Sequence, residues 1–267
     1  MDKETAEKIL QETQQGYDFM ADKFSQTRKH FWRGLESIAE YAEPGDKVLD
    51  FGCGNGRLLE LIGGKQPEYY GTDISQKLID LAKQRYPQAT FSKTNPSPHT
   101  KAINSSDFSV NNNDELTGEV YLKDKASQRL VRGVQTSLPY ADGFFNTIYS
   151  IAVFHHFPLK NYRQDAAREL YRVTKPEGRI IITVWNIWQK RYIKNIIKNW
   201  FNKIIGRSVL DWNDCYISFA NNNGDKFQRF HHAFTRRELK RLFSEAGFKI
   251  ESCEIIGGRN ILLIGKK

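Results

Sequence analysis

The chain has 267 residues, enough to bury a substantial core as a single domain with insertions, and 39% of them are hydrophobic, as in a soluble protein. No apolar run approaches the roughly 20 residues that span a bilayer, and the polar opening "MDKETAEKILQETQQGYDF" is unlike a signal peptide; the isolated Cys53, Cys215 and Cys253 point neither to a disulfide framework nor to a zinc site, so a cytoplasmic location with no membrane partner is expected. A net charge of +9 and a pI near 9.3 favour a polyanionic partner, because phosphate contacts release counterions.

Residues 1–43 read as N-terminal amphipathic helices around "GYDFMADKFSQTRKHFW". After Pro44-Gly45, "KVLDFG" is a predicted buried strand that its glycine ends. "RLLELIGG" follows as a helix, "EYYGTDIS" as a strand ending at Asp73, and "QKLIDLAKQRYP" as a helix with Leu78, Ile79 and Ala82 at helical spacing. The pattern then dissolves into a polar insertion at 94–128, which leaves "ATFSK" and "RLVRGV" both candidates for the third strand. "FNTIYSIAVFHHF" reads as a strand running into a turn, "RQDAARELYRVT" as a helix, Pro176-Glu177-Gly178 as a break and "RIIITVW" as a strand. Residues 186–225 form a second excursion, basic, aromatic and lid-like. A helix, "TRRELKRLFSEAGF", with Thr235 and Glu238 in capping-box positions, and two strands, "KIESCEII" and "NILLIGKK", complete the chain. Strands alternating with helices predict an α/β fold, a parallel sheet covered on both faces.

The stretch "VLDFGCGNG" carries the chemistry. Gly52, Gly54 and Gly56 follow a strand and precede a helix, so backbone can approach a ligand at the helix N-terminus. Asp73 lies 21 residues after Gly52 at the end of the next strand, where a carboxylate can accept hydrogen bonds from ribose hydroxyls. Asp50 stands two positions before Gly52, where it would serve a pyrophosphate poorly and an ammonium well. That choice suggests the methionine end of S-adenosyl-L-methionine.

In "VLDFGCGNG", "GTDIS", "SLPYADGFFNTIYS" and "ELYRVTKPEGRIIITVW" the sequence resembles the class I S-adenosylmethionine-dependent methyltransferases. The resemblance implies a Rossmann-like, seven-stranded, mostly parallel sheet. It also implies that Asp50, Gly52 and Gly54 surround the methionine moiety, Asp73 and Ile74 the ribose, and Val134 or Gln135 the adenine. Here the chain departs from many relatives, having "GVQTSLP" where they have an acidic residue in "GDxxxLP". A narrower resemblance links "GYDFMADKFSQTRKHFW", "SIAVFHHF", "RIIITVWNIWQKRY" and "RFHHAFTRRELKRLFSEAGF" to the tRNA wobble-uridine carboxymethyl methyltransferases, including the domain fused to an AlkB-like oxygenase. It implies esterification of 5-carboxymethyluridine in tRNA, and a small zinc-ribbon activating subunit as partner.

Methyl transfer to a carboxylate oxygen needs positioning rather than a strong base, because the acceptor is already ionised at neutral pH. Arg28, Arg163, Arg229, His155 and His156 are candidates to hold the carboxylate or a nearby phosphate, and Tyr17 to close over the cofactor. Each has a structural alternative: the histidines can pack at the start of the next helix, and Arg28 can be a surface partner of Trp32. Residues 186–210 hold six basic residues, no acidic one, and Trp188, Tyr192, Trp200 and Phe201. That composition suits an RNA surface, a basic amphipathic helix on a membrane, or a lid with a solvated face. No metal is expected. The rivals of the tRNA reading are a small-molecule or quinone/lipid-precursor methyltransferase and a non-catalytic cofactor-binding RNA-interaction protein.

Overall fold

The computed structural model describes residues 1–27, 30–31, 34–94, 138–220, 224 and 226–267. Its main sheet has seven strands: β1 Lys47–Phe51, β2 Glu68–Asp73, β3 Thr90–Lys93, β4 Phe145–Ile151, β5 Thr174–Trp185, β8 Lys249–Ile256 and β9 Asn260–Lys266. They lie in the order β3-β2-β1-β4-β5-β9-β8; the first five are parallel and β9 runs antiparallel to both its neighbours. "ATFSK" therefore supplies the third strand, while "RLVRGV", and the insertion at 94–128 apart from Thr94, lie outside the described residues.

Successive side chains of a strand point to opposite faces, and both faces here are apolar. Leu49, Ile148, Ile180 and Ile182 pack on one side with helices α4 (Lys160–Val173) and α6 (Arg236–Ala246). Val48, Tyr149 and Ile181 pack on the other with helices α2 (Leu58–Ile62) and α3 (Gln76–Arg85). Two helix starts are fixed by side-chain caps, Ser75 accepting from the Leu78 N–H and Thr235 from the Glu238 N–H.

The long N-terminal helix α1 spans Lys3–Thr27, and the remaining N-terminal segment holds a short 3-10 helix at Glu36–Tyr41. Within the expected lid-like excursion at 186–225, the described residues form helix α5 (Ile193–Ile204) and strand β6 (Asp214–Ala220). β6 pairs antiparallel with β7 (Lys226–His232) as a separate two-stranded sheet. Pro176 does not break the chain. β5 runs through it, at a bulge between Phe145 and Thr147 of β4, a position where a missing N–H is tolerated. No helix among the described residues is long and apolar enough to cross a membrane.

Candidate active site

The sheet order reverses between β1 and β4, and the crevice beyond the carboxyl ends of such strands is where α/β sheets bind ligands. A cleft of about 1290 Å³, including its solvent-open mouth, lies there. Its floor is the glycine turn. Gly52, Gly54 and Gly56 have φ of 80°, 57° and 74°, and a Cβ on Gly52 would stand 2.2 Å from Val153 Cγ2. Only glycine meets both demands at position 52. The turn is tied to β2, with Gly52 and Cys53 N–H groups donating to the Thr72 carbonyl at 2.7 and 2.9 Å and the Gly54 N–H to Asp73 Oδ2 at 2.9 Å.

Two buried carboxyls face this floor. Burial lifts the pKa of Asp50 to about 7, an effect that a 2.6 Å hydrogen bond from the Tyr69 hydroxyl only partly offsets and the Asp73 charge reinforces. Burial also raises Asp73, against hydrogen bonds from the backbone N–H groups of Ser75, Gly54 and Ile74. Carboxyls held in this state are stabilised by an arriving cation. The donor set therefore fits S-adenosylmethionine, whose ammonium and sulfonium charges would lie near Asp50 and whose ribose hydroxyls would meet Asp73. Ile74 and Tyr17 also line the cleft. Tyr17 is placed there by α1, which is anchored to the N-cap of α3 by a 2.6 Å hydrogen bond from Ser75 Oγ to Asp18.

The opposite wall is cationic and aromatic. Arg229, on β7, is 4% exposed, lies 5.2 Å from the Trp185 ring and 4.6 Å from the Phe219 ring, and donates to the Tyr17 hydroxyl at 3.4 Å. Among the described residues it has no ion-pair partner, and its Nε has no hydrogen-bond partner. Tyr17 in turn bonds His156 Nε2 at 2.8 Å, and His156 Nδ1 bonds the Phe230 carbonyl at 2.9 Å. With Nδ1–H donated to that carbonyl, Nε2 is the acceptor of the Tyr17 hydroxyl. Burial, and then the Arg229 charge, push His156 down to about 3. His155 and His231 are held well below the usual histidine range by burial and neighbouring cationic or imidazole groups. All three are neutral at physiological pH.

The ring nitrogens of His155, His156 and His231 fall within 4.8 Å of one another, a spacing that a metal ion could use. Arg229 beside them repels a dication, and His156 Nε2 is already engaged by Tyr17. His155 and His156 are brought into the cleft by a short 3-10 turn after β4, preceded by Ala152 at φ 63°. That strained residue is held by two bonds from its N–H to Thr183, one to the carbonyl and one to Oγ1.

One candidate is a correction. Arg163 does not line the cleft; it is buried in α4 and donates to the Phe157 carbonyl at 2.8 Å and the Pro158 carbonyl at 3.4 Å, so it holds the loop behind the histidines. Arg28, Val134 and Gln135 lie outside the described residues. One wall residue was not singled out from sequence, Trp185, and its ring stacks at 5.2 Å on His231, which is buried behind the wall. His231 stands two residues after Arg229 on β7, so the strand period of two puts both side chains on one face.

The methyltransferase domain family matches residues 24–253. A tRNA (carboxymethyluridine(34)-5-O)-methyltransferase of Arabidopsis thaliana is 32% identical over 171 residues, 63% of this chain and 31% of that protein. A protein of Encephalitozoon cuniculi named only as a methyltransferase is 26% identical over 88% of this chain and 85% of its own length. The chain thus spans about a third of the Arabidopsis relative and most of the Encephalitozoon one. Among solved structures, an S-adenosylmethionine-dependent methyltransferase from Methanosarcina mazei superposes with a TM-score of 0.61 at 18% identity, covering 89% of this chain and 98% of that one. A chain from a complex between the Haloferax volcanii Trm112 methyltransferase activator and a methyltransferase superposes at 0.59 and 13% identity, covering 95% of this chain and 96% of its own. With a family match across most of its length and the glycine turn, paired acidic residues and strand order in place, the chain belongs to the class I S-adenosylmethionine-dependent methyltransferases.

Proposed function

We propose that the chain transfers the methyl group of S-adenosylmethionine to the carboxylate of 5-carboxymethyluridine at the wobble position of tRNA. The observation that carries this reading is Arg229: a buried guanidinium without an ion-pair partner among the described residues, on the wall facing the acidic cofactor floor. A charge in that state favours an anionic substrate group. The Arabidopsis relative's name supports a carboxymethylated uridine as that group. The chain's net charge of +9 suits a polyanion.

The reaction is an in-line displacement. Held by Asp50, Gly52, Gly54 and Asp73, the cofactor would supply an electrophilic methyl group on sulfur to an acceptor oxygen that is already ionised, so no residue of the chain needs to move a proton. Neutral histidines suit this chemistry because none competes for the carboxylate as a second charge. Arg229 holds the acceptor, Tyr17 orients Arg229, and His156 orients Tyr17. A single guanidinium fixes the carboxylate without quenching both its oxygens. A small activating subunit, like the activator in the Haloferax complex, belongs to this reading as a partner.

The test is nucleoside mass spectrometry after incubating the chain, with and without such a subunit, with cofactor and tRNA carrying carboxymethyluridine. The ester is expected. Arg229→Gln should lower kcat/KM by roughly 10- to 150-fold, the loss of a charge-assisted hydrogen bond of about 1.5–3 kcal/mol, with cofactor affinity unchanged. A variant as active as the wild type removes Arg229 from this role, and failure of the wild type on this tRNA while a metabolite carboxylate is methylated sinks the tRNA reading.

A further inference from the structure

Helix α5 has two faces. Ile196 and Asn199 are buried, and Ile196 packs with Cys215 and Ile217 of β6. On a neighbouring face Ile197, Phe201 and Ile204 recur at i, i+4 and i+7, and with Val209 and Trp212 just beyond they are 52–73% exposed. Apolar side chains are rarely left in water as one contiguous patch without a partner. Lys194 and Lys198, both exposed, border this stripe one helical turn before Ile197 and Phe201. Residues 186–210 contain no Asp or Glu.

We infer that this surface lays α5 on an anionic lipid bilayer, with the isoleucines, Phe201 and Trp212 in the interface and the lysines against headgroup phosphates. Apolar and aromatic residues on one side and lysines at its edge form the pattern of a helix that lies in a membrane plane. Three other occupants fit the residues less well. RNA rewards cations and rings, and finds nothing to bond in Ile197, Ile204 and Val209. A second copy of the chain would bring Lys194 and Lys198 against their own duplicates with no acid in the segment to relieve them. An acidic protein would meet the charges but is not needed for the aliphatic face, which any bilayer covers. The expectation of no membrane partner rested on the lack of a spanning segment, and a helix that lies on the surface requires none. The inference concerns a face distinct from the cleft and stands apart from the choice of methyl acceptor.

The full-length chain should float with vesicles of phosphatidylcholine and phosphatidylserine and not with phosphatidylcholine alone. Tryptophan emission should shift to the blue on binding, and added salt should weaken it. Replacing Ile197, Phe201 and Ile204 together with Gln should abolish flotation while the melting temperature and cofactor affinity stay put, since these side chains are exposed. Lys194→Gln and Lys198→Gln should each weaken vesicle affinity about fivefold. No flotation of the wild type, equal flotation with neutral vesicles, or flotation that survives the triple substitution overturns the inference. So does a change in tRNA affinity or in a concentration-dependent dimer as the main effect of that substitution, which would hand the surface to RNA or to a second copy.

Discussion

Asp50 is a carboxyl poised near neutrality, because burial raises it to about 7 despite the Tyr69 hydroxyl. A cation bound beside it pulls that pKa down, so binding of S-adenosylmethionine near pH 7 releases a proton. Affinity should rise with pH, by at most about tenfold per unit below pH 7, and level off above it. Calorimetry in buffers of different ionisation enthalpy counts the proton directly; a proton count of zero, with a flat affinity profile, removes Asp50 from the cofactor's charged end. At this scale much of the cofactor floor was legible. Gly52, Asp50 and Asp73 stand where a strand meets a turn, and backbone geometry admits few residues there. Arg163 was not, because its position in the first turn of a helix says nothing about whether the guanidinium turns toward the cleft or back to the Phe157 carbonyl.

The β6–β7 hairpin carries Arg229 and is fastened to α6 by His232. This buried imidazole lies 2.7 Å from Asp214 Oδ1 and 2.8 Å from Glu238 Oε1. Burial alone would lower its pKa, but the hydrogen bonds to the two carboxylates outweigh it and the pKa lies above 6.5. The stabilisation is therefore full below about pH 6.5 and is lost as pH rises through the elevated value of the folded state. His155, His156 and His231 act with the opposite sign: their depressed values mean that the unfolded chain takes up protons first, so they cost stability as pH falls below 6.5. Urea unfolding from about pH 5 to about pH 9 should show both arms, and His232→Gln should flatten the alkaline one alone. An unchanged alkaline arm in that variant places the fastening elsewhere. This element also shows how far a motif reads. Thr235 caps α6 as its spacing implied, but Glu238, which a capping box would return to the Thr235 N–H, reaches His232 instead. Local spacing selects the cap; a partner distant in space decides the acid.

Across the whole molecule, the alternation of strands and helices was legible in apolar runs with glycine or proline punctuation, and the mostly parallel seven-stranded sheet in the family resemblance; the spatial order of the strands and the antiparallel closing pair are set by pairings between distant segments. The second sheet was not legible, because residues 186–225 carry basic and aromatic residues whose pairing with β7 depends on contacts no short window contains. Yet that second sheet divides the cleft. The glycine turn and the two buried carboxyls belong to β1 and β2, whereas Arg229 belongs to β7, which shares no ladder with the main sheet among the described residues. On the proposed reading of Arg229, the acceptor's guanidinium and the donor's floor sit on different sheets. A chimera that replaces residues 210–232 with the corresponding hairpin of a methyltransferase for another acceptor should keep its cofactor affinity and exchange its substrate, checked by calorimetry and by mass spectrometry of the product. If cofactor affinity falls with the exchange, the two halves are not modular. On that reading the acceptor can be exchanged at the hairpin without touching the strands that hold the methyl donor.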